Sequence, residues 1–270
     1  MIPPLSSQSK TIGVTTLGSG SKGNATLIHY GNCGILVDAG FSLKELRRRL
    51  NVAHIDESII KAIIITHEHS DHIKGLRVCA SYFSVPIYAS TRCADTLMRK
   101  DPKIHTIHRF TPGGTFMFKD YSITPFDIKH DAIEPVAFVI RIKNKKIGIA
   151  TDLGSVTKMT EYQLNACDFL IIESNHDLNM LAASPRPWHL KQRILSPIGH
   201  LNNNATQDFL TRVIGPNTHY ITLAHISHEC NTNDIAFNTT EKTLQDLGRQ
   251  DIHLEIANQE QPTPTLWLSL

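Results

Sequence analysis

The stretch KAIIITHEHSDH, Lys61 to His72, decides how the rest of this 270-residue chain is read. Its first half is a short apolar run, the pattern of a buried strand. We expect a strand over Lys61–Thr66, with a helix beginning near His72. Its second half sets His67, His69, Asp71 and His72 within six residues. A buried apolar element cannot hold four such side chains, because their polar atoms would lack partners. Where a strand runs out into a loop, alternate residues project to one side. His67 and His69 can then grip one ion, while Asp71 and His72, at the turn into a helix, point at a neighbouring site.

Further ligands are expected at other strand ends. His130 stands in DIKHDA after a strand ending at Asp127, Asp152 in TDLGS after the apolar run IGIAT, and His225 in LAHIS after HYITLA. Each lies at the carboxyl end of a strand, where side chains converge on one rim of an α/β sheet. The chain carries 15 histidines, and histidine is the commonest metal ligand. His29, His54, His105, His108, His189, His219 and His253 have no motif around them and are read as ordinary. His228 is expected at the surface.

The segment GSGSKG, Gly18–Gly23, matches the dinucleotide fingerprint letter for letter. That reading requires a helix opening at the last glycine to hold a pyrophosphate. Here the following ATLIHY, Ala25–Tyr30, has the alternation of a strand, and no GK[ST] follows for a P-loop. What stays open is an approach of the loop's backbone N–H groups to a substrate phosphate.

Strands are expected at Thr11–Leu17, Ala25–Tyr30 and Ile35–Asp38 as an antiparallel meander, then at Val85–Ala89, Thr106–Phe110, Thr115–Phe118, Tyr121–Asp127, Val136–Lys143, Lys146–Thr151, Phe169–Glu173, His219–Ala224 and Ile252–Ile256. Asn144-Lys145 makes a tight connection in the middle of this series. Helices are expected from the cap Ser42 to Leu50, at Thr91–Lys100, Asn202–Ile214 and Asp234–Leu247. Strands and helices interleave without a linker or repeat. An α/β chain of two face-to-face sheets with helices outside, forming one domain over residues 1–270, fits this order.

With these stretches in view, the chain resembles the metallo-β-lactamase superfamily over nearly its whole length, HxHxDH at 67–72 being the defining motif. More narrowly it resembles the YycJ/WalJ family, through LGSGSKGNATLI, ILVDAG, THEHSDHIKGL, TDLG, ESNHD, KQRILSPIGHLNN and LAHIS. The resemblance implies a four-layer αββα sandwich with two divalent ions in a cleft between the sheets. His67, His69 and His130 would hold one ion, and Asp71, His72 and His225 the other, with Asp152 bridging. Nitrogen and oxygen donors suit Zn²⁺ or Mn²⁺ and leave the choice open. Two ions about 3.5–4 Å apart can lower the pKa of a shared water to roughly 7, making a bridging hydroxide nucleophile at neutral pH.

The resemblance also implies metal-dependent DNA exonuclease activity, 5′→3′ in direction, with nucleic acid as the partner. Asp71 would act as a ligand, or also take a proton from the attacking water. His200, in GHLNN, is the candidate general acid for the leaving oxygen; its alternative is a helix-start histidine bonded to backbone. Asp38 in VDAG is expected to orient a ligand histidine, and Glu173 and His176 in ESNHD either to support the site or simply to pack. In RPWHLKQR, Arg186 to Arg193, Lys191 and Arg193 could meet phosphates and Trp188 a base. The other reading is an amphipathic helix with Trp188, Leu190 and Ile194 turned inward, which we favour for the apolar residues.

Composition bounds the alternatives. A 41% hydrophobic, 19% charged chain is an ordinary globular protein, and a net charge of +2 gives no nucleic-acid signal of its own. The basic clusters KELRRR (Lys44–Arg49) and KNKK (Lys143–Lys146) are expected to be solvated faces. Five scattered cysteines without a CxxC pair argue for a reducing compartment. The start MIPPLSSQSK has no signal-peptide layout and no run spans a bilayer, so a cytoplasmic protein without membrane contact is expected. Only about seventy positions separate Asp152 from His225, too few for the large inserted domain of the RNA-processing β-CASP branch. A small-molecule hydrolase of thioesters, lactones or cyclic phosphodiesters stays compatible with HxHxDH. A redox di-iron site fits less well, because no motif ligand is replaced by a carboxylate and no flavin domain follows. Oligomeric state is not legible.

Overall fold

In the computed structural model, which describes residues 11–270, two seven-stranded sheets face one another. The start MIPPLSSQSK, read above for a leader, lies outside the described residues. The first sheet contains β1 (Thr11–Gly18), β2 (Ala25–Tyr30), β3 (Cys33–Val37), β4 (Ile60–Ile64), β5 (Ile87–Ser90), β6 (His108–Phe110) and β14 (Leu266–Ser269). The second contains β7 (Phe116–Phe118), β8 (Tyr121–Asp127), β9 (Val136–Ile142), β10 (Lys145–Ala150), β11 (Phe169–Glu173), β12 (Tyr220–Ala224) and β13 (His253–Ile256). Their orders are β14-β1-β2-β3-β4-β5-β6 and β13-β12-β11-β10-β9-β8-β7.

Each sheet begins antiparallel and ends parallel. β3, β4, β5 and β6 run parallel in the first sheet, and β10, β11, β12 and β13 in the second. The central parallel strands β3, β4, β11 and β12 are largely apolar on both faces because both are covered. On β4, Ala62 and Ile64 enter the layer between the sheets with Val14, Ile28, Phe138, Ile140 and Ile171, whereas Ile63 faces outward. That outer layer is closed by α1 (Leu43–Val52), α3 (Leu76–Phe83) and α4 (Thr91–Lys100). The opposite outer layer is closed by α5 (Lys158–Leu164), α8 (Asn203–Val213) and α9 (Asn233–Asp246), with Phe209, Leu210 and Leu244 buried on the second sheet. The four layers place the carboxyl ends of both parallel halves along one rim.

Several local expectations shift. The helix at the motif starts earlier, as α2 (Ser70–Ile73), and the chain re-enters helix at Leu76 after Gly75. A Cβ on Gly75 would lie 1.8 Å from the Phe41 carbonyl oxygen, so only glycine permits this close pass. The β9–β10 connection turns at Lys143–Asn144, one residue early, with Lys143 at φ 55°. β14 and the short helices α5 and α6 (Leu178–Ala183) have too little periodicity to stand out in sequence. Arg49 leaves the solvated face expected for KELRRR. It is 4% exposed, lies over the Phe41 ring, and donates to the Leu17 and Gln259 carbonyls at 2.7 and 2.8 Å. Two carbonyl acceptors and Glu45 replace the water it gives up. Among the described residues no helix is long and apolar enough to cross a membrane.

Glu255 on β13 sits opposite Thr222, whose hydroxyl donates to its carboxylate at 2.9 Å. Burial pushes this carboxyl up to about 7 from its ordinary 4.5. The folded chain therefore holds a proton that the unfolded chain releases, and stability is lost as pH rises from 4.5 through 7. Glu255→Gln is expected to exceed the parent by about 1–3 kcal/mol at pH 8 and to match it near pH 4. Urea unfolding at both pH values tests this; a difference that does not grow with pH would show the group is not desolvated.

Candidate metal centre

The strand ends bring the motif residues together on the rim. β4 ends at Ile64, and the chain then lays out Thr66 to His69 as a loop leading into α2, whose first turn carries Asp71 and His72. His130 follows β8, Asp152 follows β10, and His225 follows β12. The ligand atoms of His67, His69 and His130 lie within 4.8 Å of one another, as do those of Asp71, His72, Asp152 and His225. All but His69 and Asp71 are buried. Asp152 stands between the groups, 3.1 Å from His72 Nε2, 3.4 Å from His225 Nε2 and 4.0 Å from His130 Nε2.

Four of the five clustered histidines, His67, His72, His130 and His225, are oriented from behind. Thr66 Oγ1 donates to Asp38 Oδ2 at 2.8 Å and so accepts from His67 Nδ1 at 3.0 Å, turning His67 Nε2 inward. His72 Nδ1 donates to Asp38 Oδ2 at 2.7 Å, and His130 Nδ1 to the Gly199 carbonyl at 3.2 Å. Glu173, wholly buried, accepts from two rings on one oxygen, His200 Nδ1 and His225 Nδ1, both at 2.8 Å. Its other oxygen accepts from the backbone N–H of Leu153 at 2.7 Å and of Leu201 at 3.2 Å. These partners fix the ring tautomers, as carboxylates behind metal-bound histidines do.

A third grouping, Asp152, Glu173, His200 and His225, also falls within 4.8 Å. Both Glu173 oxygens are occupied by N–H donors, so this grouping is a hydrogen-bond network rather than an open set of ligands. His67 Nε2, His225 Nε2 and Asp152 Oδ2 are buried without a hydrogen-bond partner. Orphaned donors and acceptors facing one another are costly in a protein interior, and divalent cations would satisfy all of them. The donor set therefore fits metal.

The electrostatics agree. Burial opposes charge on His72, yet Asp152 and Asp38 hold it well above the ordinary histidine value. His225 is raised against the same penalty by Asp152, Asp71 and Glu173. Burial and the neighbouring His72 hold His67 well below that value. Burial would raise Glu173, but His200 and His225 bring it down to about 2. The carboxylates that favour a proton on His72 and His225 equally favour a metal cation in its place.

Backbone and loop details complete the site. Asp38, Asp152 and His225, each just past a strand end, are left-handed at φ 64°, 55° and 55°, a conformation costly for non-glycine residues. The glycine loop enters β2 rather than a helix, and it packs against the centre. Asn24 Nδ2 donates to Asp71 Oδ2 at 3.1 Å and lies 3.1 Å from His72 Nε2, while Ser19 Oγ accepts from the His225 N–H at 2.9 Å. Sequence reasoning missed Asn24; the one available signal was an amide beside a loop of glycines. Gly40 is also required here, since a Cβ on it would lie 1.7 Å from the Asp71 carbonyl oxygen.

A cavity of about 200 Å³ opens beside the cluster, lined by Ser21, Asp131, Arg186, Arg193, His200 and His225 among others. His200, partly exposed, stands 3.8 Å from Asp152. His228 is at the surface, as expected. His176 lies buried outside the cluster, with both ring nitrogens unpartnered, and His29 is buried edge-on to Trp267. The RPWHLKQR segment forms α7 (Trp188–Leu195) with no buried residue. Trp188 is 66% exposed, so the inward packing expected for it does not occur: the helix rides on the cavity rim with Leu190 and Ile194 half-buried, Lys191 Nζ donating to the Ala182 carbonyl and Arg193 paired with Asp131.

Residues 34–226 match the Beta-lactamase superfamily domain. Exodeoxyribonuclease YycJ of Bacillus anthracis is 33% identical over 236 residues, covering 87% of this chain and 89% of the relative. Exodeoxyribonuclease WalJ of Streptococcus pneumoniae serotype 2 is 34% identical over 238 residues, covering 86% and 88%. The metallo-β-lactamase fold protein YhfI from Bacillus subtilis superimposes with a TM-score of 0.70 over 94% of this chain and 99% of its own, at 18% identity.

Glu173→Gln tests the support network. The amide NH₂ would face a donor on one side or the other, so metal affinity is expected to fall 10- to 100-fold. Competition against a chromogenic chelator measures it; affinity unchanged within twofold would remove Glu173 from the centre.

Proposed function

This chain belongs to the metallo-β-lactamase superfamily, in the group of YycJ and WalJ, and from that premise we propose that it is an exonuclease acting on DNA in the 5′→3′ direction. That it is a metal-dependent hydrolase of the nuclease type follows from the relatives and the fold. The polymer, the direction, the number and kind of ions, a cytoplasmic setting and the unity of residues 1–270 as one domain are our reading. The observation that carries it is the buried Asp152, with orphaned imidazole nitrogens on either side, opening on a cavity lined by His200.

In this reading His67, His69 and His130 hold one ion and Asp71, His72 and His225 the other, with Asp152 between them. Asp38, Asp71, Asp152 and Glu173 supply four carboxylates, and two divalent cations carry the matching charge. Imidazole and carboxylate donors without thiolate suit Zn²⁺ or Mn²⁺. When bound, such ions activate water and neutralise charge on a phosphodiester. The chain's own groups do the rest. Glu173 holds His200 by Nδ1, leaving Nε2 facing the cavity to pass a proton to the leaving oxygen. Asp71, half-buried and kept ionised by His225 and His72 against the penalty of burial, is placed to accept one. The small cavity volume is what favours the second reading, a hydrolase of small esters or cyclic nucleotides.

End-labelled single- and double-stranded DNA and RNA, incubated with Mn²⁺, with Zn²⁺ and with chelator, decide between them. Metal-dependent shortening from the 5′ end of DNA, abolished in His72→Ala, is expected. His200→Ala should retain metal and lose about 10²–10⁴ in rate. Turnover of a cyclic nucleotide with every polymer intact would establish the second reading.

A further inference from the structure

Helix α7 is hard to explain as a support. None of its eight residues is buried. Trp188 is 66% exposed, Leu195 49%, and Ile198 just beyond it 46%. An indole in water forgoes the burial through which aromatic side chains usually contribute most. Charge singles out the same stretch. The 30 residues between Asp177 and Asp208 hold Arg186, Lys191 and Arg193 and no acidic residue, where the chain's 25 acids in 270 would place two or three.

The helix is continuous with the reacting end. Arg186, Leu190, Arg193 and Ile194 line the cavity that His200 and His225 share, and the Ile194 carbonyl accepts from the His200 N–H at 3.1 Å. Arg186 and Arg193 are held at the cavity mouth by Glu229 and Asp131. These pairs are open to solvent, and such pairs are weak, so a phosphodiester can join or displace the carboxylates. A basic wall carrying a free indole matches a strand whose bases are unpaired, since a duplex hides the faces on which an indole stacks.

We propose that α7 is the strand-binding wall of the centre: single-stranded nucleic acid crosses it, phosphates at the cavity against Arg186 and Arg193 and a base farther out, on the helix's exposed face, stacked on Trp188. This rests on the nuclease reading above. It adds a specificity that the ligand cluster alone does not give, because small diesters need no wall.

The test compares the full chain loaded with Mn²⁺ on a single-stranded 20-mer and on bis(p-nitrophenyl) phosphate. Trp188→Ala should lower the ratio of kcat/KM for the 20-mer to that for the diester about tenfold, mainly through KM, and Trp188→Phe should recover most of it. Arg186→Gln with Arg193→Gln should reduce the slope of log kcat/KM against log salt on the 20-mer by about 1.4, two phosphates on a single strand. An unchanged ratio in Trp188→Ala overturns the proposal and leaves the nuclease reading intact, as does an equal loss on both substrates. A Trp188→Ala protein that sediments as a smaller oligomer than the parent would show that the face joins two copies of this chain, and would also overturn it. Diester turnover without attack on any polymer would overturn the nuclease reading and this proposal together.

Discussion

Everything near the rim answers one electrostatic constraint: Asp152 is 2% exposed and faces imidazole nitrogens on several sides. An ionised carboxylate removed from water costs several kcal/mol unless compensating charge lies against it. Asp38, Asp71 and Glu173 repeat the problem within the same small volume. The fold's answer is to set each acid against histidines, and to tie the far nitrogens of His67, His72, His130 and His225 to a second acceptor so that these rings cannot turn away. Asp38 serves Thr66 and His72, and Glu173 serves His200 and His225. The orphans left inside the ligand cluster, His67 Nε2, His225 Nε2 and Asp152 Oδ2, are those a divalent cation would meet.

That arrangement draws on both sheets, and neither could form it alone. The first sheet supplies His67 to His72, Asp38 and the Asn24 loop; the second supplies His130, Asp152, Glu173 and His225. The apolar layer between them, with Phe138, Ile140 and Ile64 fully buried, therefore sets the distance between the two groups of ligands. Close-packed interiors do not slide by small amounts, which makes them a suitable ruler for a site with narrow tolerances. The glycines at 40 and 75 let the two loop crossings approach closely enough for this.

Much of this was legible because the decisive residues are clustered or sit at strand ends. HxHxDH follows an unmistakable buried strand, and Asp152 and His225 follow equally apolar runs. What was not legible depended on neighbours distant in sequence. Arg49 belongs to a basic run that reads as solvated, and only the fold brings the Leu17 and Gln259 carbonyls to it. Asn24 carries no pattern of its own. β14 is four residues long and acquires its identity from pairing with β1. Trp188 shows the reverse error: apolar spacing on a short helix suggested packing, but the rim offers it no surface to pack on.

The left-handed turns at Asp38, Asp152 and His225 have an evolutionary corollary. Each of these residues occupies backbone geometry that glycine or asparagine would adopt more comfortably. Replacing Asp152 by glycine would relieve local strain and remove a buried, orphaned carboxylate oxygen. At Asp38 the same change would strand the Thr66 N–H, the Thr66 hydroxyl and His72 Nδ1, and at His225 it would take a donor from Glu173. At position 152 the metal-free scaffold would gain stability by the same change that disables it, the familiar conflict between stability and activity. Random drift in an unselected copy of this chain should erode Asp152 early, well before Asp38 or the apolar layer that surrounds it. Its retention in any lineage would record continuing selection for chemistry rather than for folding.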